Sequence, residues 1–273
     1  MIVFPNSKIN IGLHVLNRRV DGFHNIESVF YPISWKDSLE TVKSEEFLFE
    51  VFGSQIAGTG EENLCVKAYR LLQQNFDLPN VKMCLLKNIP AGAGLGGGSS
   101  DGAFTLKLLN DIFSLNLSSA ELKSLSTQLG SDCSFFIENK PCFVSGRGDQ
   151  LQLIDLDLTA FHIVLVHPNI SINTKWAYEQ LAFTRKKIND QSGSLSQLIK
   201  NPIQRWKEIL FNDFEEVVFL HHPEIALIKQ QFYDNGAIYA SMSGSGSAVY
   251  GIFEHEPMNL SFKPEWKIFS GKL

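Results

Sequence analysis

The hydrophobic pattern of the first half of the chain predicts strands followed by helices. Apolar residues alternate with small or polar ones from Ile9 to Leu16, as they do on a half-buried strand. Further strands are predicted at Ser28 to Ile33, Glu46 to Phe52 and Val81 to Leu86. Apolar residues at three- and four-residue steps predict helices with one buried face at Asn63 to Phe76 and Gly102 to Phe113.

The next segment predicts one more helix and then a pair of strands. Ser118 and Glu121 have the spacing of a capping box, which opens a helix that runs to about Leu129. The two apolar runs that follow, Cys133 to Ile137 and Cys142 to Ser145, are predicted as paired strands.

The second half of the chain opens with a strong strand pattern. Phe161 to His167 is almost continuously apolar and ends at Pro168, so we expect a buried strand that begins a second unit. Helices are predicted at Asp213 to Leu220 and Pro223 to Asp234, strands at Ala237 to Ser241 and Ala248 to Phe253, and a polar connection at Arg185 to Ser196. Since strands and helices are interleaved without a regular alternation, the pattern favours an α+β fold over a doubly wound sheet.

Composition narrows the class of protein. The 273 residues allow one large or two ordinary domains, and 44% hydrophobic with 19% charged residues is typical of a soluble globular protein. The net charge of -5 argues against a nucleic-acid partner, and no apolar run nears the ~20 residues that span a bilayer, so no membrane partner is expected. The four cysteines form no CxxC pair and the N-terminus does not resemble a signal peptide, which predicts free thiols and a cytoplasmic location.

The strongest chemical signal is the glycine loop, defined here as Pro90 to Asp101. Glycine is costly in folded structure unless the backbone itself has a role, and a row of bare N–H groups before a helix can hold a phosphate. A flexible linker is the alternative interpretation. The tight boundaries between a predicted strand and a predicted helix argue against that alternative.

Other phosphate-binding designs do not fit the glycine loop. Gly92, Gly94 and Gly97 match G-x-G-x-x-G, but the loop does not follow the first strand and no ribose-binding acid follows at the required distance. No lysine lies between Lys87 and Lys107, which excludes a Walker A loop, and the His-Arg-Asp and Asp-Phe-Gly triplets of protein kinases are missing from the chain.

Other polar residues each allow a structural and a chemical interpretation. Lys8 is either an exposed edge lysine or a cation for a transferring phosphoryl group, and Asp132 either caps a turn or accepts a hydroxyl proton. The serine–glycine turn, Met242 to Ser247, is a hairpin or a second approach to the same phosphates. Ser99 and Ser100 can cap a helix, bind a phosphate oxygen or help to hold a metal.

Taken together, Lys8-Ile-Asn10, the glycine loop and the serine–glycine turn resemble the three motifs of the GHMP kinases, in the same order across nearly the whole chain. The resemblance implies a two-domain α+β GHMP kinase fold. It places a ribosomal-S5-domain-2-like ATP-binding domain at 1–155 and a ferredoxin-like domain, which completes the acceptor cleft, at 156–273. It also implies ATP as phosphoryl donor, Mg²⁺ with the ATP, and a small-molecule acceptor, while the metal ligands stay open.

Further residues resemble one branch of that family. Asp21-Gly-Phe-His24 is the most specific of them, and Leu129 to Phe136, Gly146-Arg-Gly148 and Asn212 to Glu215 also fit. This branch phosphorylates the 2-hydroxyl of a cytidine-diphosphate-linked methylerythritol in isoprenoid precursor biosynthesis. A homoserine or mevalonate kinase, disfavoured by Asp21 to His24, and a nucleotide sensor without catalysis are the alternatives.

The resemblance also implies roles for individual residues. Asp132 is expected to be the base and Lys8 its electrostatic partner. ATP is expected to contact Asn63, Lys87, Pro90, Gly92, Gly94, Leu95, Gly96, Gly97, Gly98, Ser99 and Ser100. The acceptor is expected to contact Asn10, Phe23, His24, Thr174 and Tyr178, with an aromatic ring stacked on the cytosine. A monomer or weak homodimer is expected, and 185–210 matches no part of the family pattern.

Overall fold

The computed structural model describes residues 1–53, 60–184, 193–258 and 260–273. The chain divides into two compact units. The first unit comprises Met1–Lys8, Trp35–Ala91 and Gly96–Lys140, and the second comprises Ile9–Ser34, Gly92–Leu95 and Pro141–Leu273. The division into domains at 1–155 and 156–273 stays a prediction, and residues 185–192 of the predicted polar connection lie outside the described residues.

The first unit holds a sheet with helices packed on it. In the described residues the strand order is β1 (Ile2–Val3), β4 (Ser38–Lys43), β6 (Val81–Lys87) and β5 (Leu48–Gly53). Strands β4 and β6 are antiparallel, whereas β5 and β6 are parallel and are joined through helix α1 (Leu64–Asn75), because a parallel pair needs a crossover. Only Asn88 and Ile89 separate the end of β6 from the glycine loop.

Helix α2 (Gly97–Ile112) follows β6 and packs against α1. The helix predicted from Gly102 therefore begins five residues earlier, because the second part of the glycine loop forms its first turn. Helix α3 (Ser119–Ser126) opens with the predicted capping box: Glu121 N–H donates to Ser118 Oγ at 3.3 Å, and Ser118 N–H donates to Glu121 Oε2 at 2.8 Å. This helix ends three residues before the predicted Leu129.

The strand predicted at Cys133 to Ile137 is wrong, because this segment is helix α4 (Cys133–Glu138). A short apolar run has no period that separates a strand from a buried helical turn. Here consecutive residues Phe135, Phe136 and Ile137 are all buried, and the helix packs on α2 and α3. It stops at Asn139, which adopts a left-handed conformation with φ of 54°.

The second unit holds an antiparallel sheet covered by helices. Its described strands have the order β10 (Tyr239–Met242), β11 (Val249–Phe253), β9 (His162–His167) and β12 (Lys267–Lys272). Helices α5 (Thr174–Thr184), α8 (Phe214–His221) and α9 (Pro223–Asp234) share one apolar core with this sheet, and two shorter helices are α6 (Leu195–Leu198) and α7 (Ile203–Ile209). The predicted α8, α9, β9, β10 and β11 are confirmed.

A further sheet contains the long N-terminal strands. Its order is β2 (Asn6–Arg18), β3 (His24–Lys36), β7 (Cys142–Ser145) and β8 (Gln150–Leu153). A turn at Val20 to Gly22, which includes the Asp21-Gly22 pair, joins β2 to β3. Because β2 is thirteen residues long, it carries Lys8 near its start and Arg18 at its end.

Asn212 fixes the serine–glycine turn within the second unit. Its Nδ2 donates to the carbonyl oxygens of Met242 and Gly244, both at 2.8 Å, and its Oδ1 accepts from Phe214 N–H at 3.0 Å. Asn212 is buried, so water cannot replace these bonds. One side chain therefore holds both sides of the turn.

We predict that Asn212→Ala lowers the free energy of unfolding by about 2 kcal/mol, because it leaves buried polar groups unpaired. Urea unfolding measures this effect. Asn201→Ala is the matched control, since Asn201 is exposed and we expect a loss below about 0.5 kcal/mol. Equal losses in the two variants would contradict the role of Asn212.

Candidate active site

The glycine loop ends in the exposed start of a long helix. Gly96 precedes α2 in a left-handed conformation with φ of 69°, which an L-residue adopts only at a cost. The first turn of any α-helix leaves N–H groups without intrahelical acceptors, and the helix dipole makes this end attractive to anions. Gly98 is exposed and Ser99 half-buried, so this turn is open to a ligand.

Two lysines lie directly against the start of α2. A Cβ atom at Gly96 would lie 3.3 Å from Lys8 Cε and 3.0 Å from Phe136 Cζ. A Cβ atom at Gly97 would lie 3.3 Å from Lys87 Nζ and 2.9 Å from Ile89 Cγ2. A larger residue at either position would therefore crowd these neighbouring side chains.

Lys8 and Asp132 form an ion pair in the first unit. Lys8 Nζ lies 3.7 Å from Asp132 Oδ2, and the side chains are 4% and 29% exposed, respectively. The burial of Lys8 rules out an exposed edge lysine. Asp132 precedes α4 without capping it through its side chain, and its Oδ1 accepts from Ser131 Oγ at 3.2 Å. A partly exposed carboxylate beside a buried ammonium can accept a proton from a bound hydroxyl.

The serine–glycine turn contacts the first part of the glycine loop. Ser243 Oγ donates to the Gly94 carbonyl oxygen at 2.8 Å, and Ala248 N–H donates to that of Ala93 at 3.2 Å. A Cβ atom at Gly94 would lie only 2.0 Å from the Ser243 carbonyl oxygen. The turn is thus both the β10–β11 hairpin and a direct neighbour of the loop.

A pocket of about 510 Å³ opens in the second unit. Its lining residues are Arg18, Gly22, Phe23, His24, Arg147, Thr174, Lys175, Tyr178 and Glu179. The rings of His24 and Tyr178 are stacked, with centroids 4.9 Å apart and planes 9° apart. The guanidinium of Arg147 lies 5.1 Å from the centre of the Phe23 ring, which is 57% exposed. The pocket therefore combines aromatic faces with three cations and one carboxylate.

Four residues predicted to bind the acceptor line this pocket together, but Asn10 does not. Asn10 is buried, and its Nδ2 donates to Ser28 Oγ at 2.8 Å while its N–H donates to Ser243 Oγ at 3.2 Å. The sequence reasoning did not assign Arg18, Arg147 or Lys175. Two of these cations belong to segments that stand out in the sequence, the turn after β2 and Gly146-Arg-Gly148. Only the fold shows that these segments line one pocket.

The residues predicted to contact ATP occupy varied environments. Asn63 caps α1 through its Oδ1, which accepts Cys65 N–H at 2.9 Å, while Pro90 and Leu95 are buried members of the loop itself. Lys87 is buried with its ammonium bound by two carboxylates. The buried hydroxyl of Ser100 has no hydrogen-bond partner among the described residues.

The described residues contain neither a histidine, cysteine or carboxylate cluster that could hold a metal nor a membrane-spanning helix. Within these ranges, no group of three or more histidine, cysteine, aspartate and glutamate side chains is arranged to hold a metal ion. In the same ranges, every helix is too short or too polar to cross a bilayer. All four cysteines are free thiols, as predicted.

Comparison with known families and proteins agrees with this geometry. The family model "GHMP kinases N terminal domain" matches residues 63–140, and "GHMP kinases C terminal" matches 194–259. The chain is 47% identical over 260 residues to the 4-diphosphocytidyl-2-C-methyl-D-erythritol kinase of Bacteroides fragilis, covering 94% of this chain and 93% of the relative. It is 48% identical over 260 residues to the enzyme of the same name from Cytophaga hutchinsonii, covering 94% of each.

Solved structures show the same architecture. A crystal structure of 4-(cytidine 5'-diphospho)-2C-methyl-D-erythritol kinase matches with a TM-score of 0.74 and 27% identity, over 92% of this chain and 89% of that one. A mevalonate kinase matches with a TM-score of 0.74 at 14% identity, over 99% and 98% of the two chains, which shows the fold alone. The chain belongs to the GHMP kinase family, and the predicted two-domain α+β fold of that family is confirmed.

We predict that Gly94→Ala lowers the free energy of unfolding by about 2–4 kcal/mol, through positive φ and overlap with Ser243. Thermal and urea unfolding measure it. Gly98→Ala is the control for stability, because a Cβ atom there meets nothing within 4 Å and alanine favours a helix. A native-like stability of Gly94→Ala would contradict the close contact between loop and turn.

Proposed function

We propose that this protein transfers the γ-phosphoryl group of ATP to the 2-hydroxyl of 4-diphosphocytidyl-2-C-methyl-D-erythritol, a step in non-mevalonate isoprenoid precursor biosynthesis. It is a small-molecule kinase, as its family membership and relatives support. The observation that carries the choice of acceptor is the aromatic and cationic pocket at Phe23, His24 and Tyr178. Homoserine and mevalonate carry no base that would use such aromatic faces.

The pocket suits the cytidine diphosphate part of the acceptor. A pyrimidine base stacks well on aromatic rings, and base–aromatic stacking is worth about 1–3 kcal/mol per base. Because His24 and Tyr178 already stack on each other, they form one prepared platform, and Phe23 supplies a second exposed face. Arg18, Arg147 and Lys175 outnumber Glu179, which gives the pocket the positive charge that a diphosphate requires.

The ion pair of the first unit supplies the groups for the chemical step. Asp132 accepts the proton of the attacking hydroxyl or orients that hydroxyl, and its half-exposed carboxylate is open to an acceptor. Lys8 pairs with Asp132 and offsets the negative charge on the transferring group. Because the transition state of phosphoryl transfer is loose, positioning and electrostatics provide most of the catalysis.

The glycine loop is the proposed site of the ATP phosphates. Its helix start offers N–H groups and a favourable dipole, and Gly98 leaves the approach open. Mg²⁺ is expected with ATP and would supply charge neutralisation of the phosphates. Within the loop, Ser99 and Ser100 would be the side chains that offer oxygen atoms to it, and the buried Ser100 hydroxyl has no hydrogen-bond partner among the described residues.

The same assignment implies the binding partners, the location, the oligomeric state and the domain bounds. The partners are ATP and the cytidine-linked acceptor, with neither nucleic acid nor membrane, and the protein acts in the cytoplasm as a monomer or weak homodimer. The predicted ATP-binding domain at 1–155 and ferredoxin-like domain at 156–273 are retained as part of this proposal.

We predict that Asp132→Asn folds and binds ATP normally but lowers kcat by about 100-fold or more, since it removes the proton acceptor. Steady-state kinetics coupled to ADP release, together with unfolding curves, measure both properties. Asp155→Asn, at an exposed position outside the site, is the matched control and keeps native kcat. A kcat for Asp132→Asn within threefold of native would show that Asp132 is not the proton acceptor.

We predict that Tyr178→Ala raises KM for the cytidine acceptor by about tenfold or more, because a stacking face is lost, and leaves KM for ATP within twofold. Initial rates with each substrate varied in turn give both constants. Tyr178→Phe keeps the ring and should keep a native KM for the acceptor. An equal change of both KM values in Tyr178→Ala would place the acceptor elsewhere.

A further inference from the structure

We propose that Lys87 is a positioning residue for ATP, which acts from beneath the glycine loop through Asp37 and Asp101 rather than by touching the nucleotide. This inference rests on the proposed function, since it requires that the loop holds the ATP phosphates. It concerns a buried cluster of three charged side chains in the first unit. Neither carboxylate has been assigned a contact with substrate, although Asp101 is the last residue of the glycine loop.

The three charges come from three elements that meet under the loop. Lys87 is the last residue of β6, Asp37 lies between β3 and β4, and Asp101 lies near the start of α2. The three residues are 3%, 0% and 2% exposed. Lys87 Nζ donates to Asp101 Oδ2 at 2.7 Å and also to Asp37 Oδ2. The ammonium therefore ties the end of the strand to the beginning of the helix.

Asp37 also binds the backbone segment that leads into the glycine loop. Its Oδ1 accepts the N–H groups of Asn88 at 2.6 Å and Ile89 at 2.8 Å, the two residues before Pro90. Both oxygens of one buried carboxylate are thus used to fix the exit of β6. The position of the first loop residues depends on this side chain and, through it, on Lys87.

Lys87 also lies directly below the first residue of α2. A Cβ atom at Gly97 would lie 3.3 Å from Lys87 Nζ, so the helix backbone rests on the ammonium. The N–H group of this residue has no intrahelical acceptor and is one of the groups available to a phosphate. Any displacement of the ammonium therefore moves the groups that we expect to bind ATP.

Charge gives Lys87 a second effect on the same site. Two carboxylates near a helix start would repel the phosphates of ATP, and one ammonium between them offsets much of that repulsion. Burial alone would lower the pKa of Lys87, but Asp101 and Asp37 raise it, so the side chain stays charged.

The test compares binding of a non-hydrolysable ATP analogue by calorimetry with steady-state KM values. Lys87→Met should weaken the analogue and raise KM for ATP by about tenfold or more, with KM for the acceptor within twofold. Lys82→Met is the matched control, because Lys82 lies on the exposed face of the same strand and should leave both constants native. No change in Lys87→Met would overturn the proposal.

A double variant separates the indirect role from direct contact. Lys87→Met with Asp101→Asn restores the formal charge of the cluster, so it should bind the analogue at least threefold more tightly than Lys87→Met alone. If Lys87 contacted the nucleotide, the second substitution would give no such recovery, and that result would overturn the proposal.

A second pair of variants keeps Lys87 in place and does not depend on whether Lys87→Met folds. Asp101→Asn retains an oxygen for the ammonium and should bind the analogue within twofold of native, whereas Asp101→Ala should bind it about fivefold more weakly. Equal or tighter binding in Asp101→Ala would mean that a released lysine reaches the nucleotide, and would overturn the proposal. Native protein that binds the analogue but turns over no acceptor would contradict the proposed function alone.

Discussion

The start of helix α2 rests on two buried lysines, and the rest of the candidate site depends on that close packing. Gly96 lies against the stem of Lys8, and Gly97 lies against the ammonium of Lys87. A side chain at either position would displace a lysine or the helix. Glycine therefore suits both positions, because the inner side is occupied by these side chains and the outer side is the proposed phosphate site.

This packing links the two chemical tasks of the first unit. Lys8 lies against Gly96 and pairs with Asp132, so the start of the helix that would hold the donor phosphates is linked to the proposed proton acceptor. The ammonium of Lys87 instead contacts buried carboxylates. Its charge is balanced internally by Asp37 and Asp101, which assigns it to the support of the loop. Two lysines against adjacent glycines thus have different environments and, on this account, different roles.

The sequence was sufficient for the elements with a clear period or a specific end signal. Strand β2, the capping box of α3 and the apolar run of β9 each have a local signal, and each was predicted. The half-buried character predicted for β2 was wrong, because every residue from Asn6 to Val15 is buried. Helix α4 was mistaken for a strand because all sides of a short buried turn are apolar. Strands β4 and β12 were missed because their polar and apolar residues carry no signal strong enough without the sheet partners that bury them.

The candidate site was also predicted only in part from the sequence. The glycine loop, Lys8 and Asp132 were visible as motifs, and the family resemblance supplied the acceptor residues Phe23, His24 and Tyr178. The cations of the pocket and the partners of Lys87 were not predicted, because they come from distant segments that only the fold brings together. The most direct test of the whole account is an ADP-release assay with 4-diphosphocytidyl-2-C-methyl-D-erythritol, mevalonate and homoserine as acceptors. The account predicts turnover with the cytidine compound alone and a product phosphorylated at its 2-hydroxyl, whereas turnover with either of the other acceptors, or none with the cytidine compound, would contradict it.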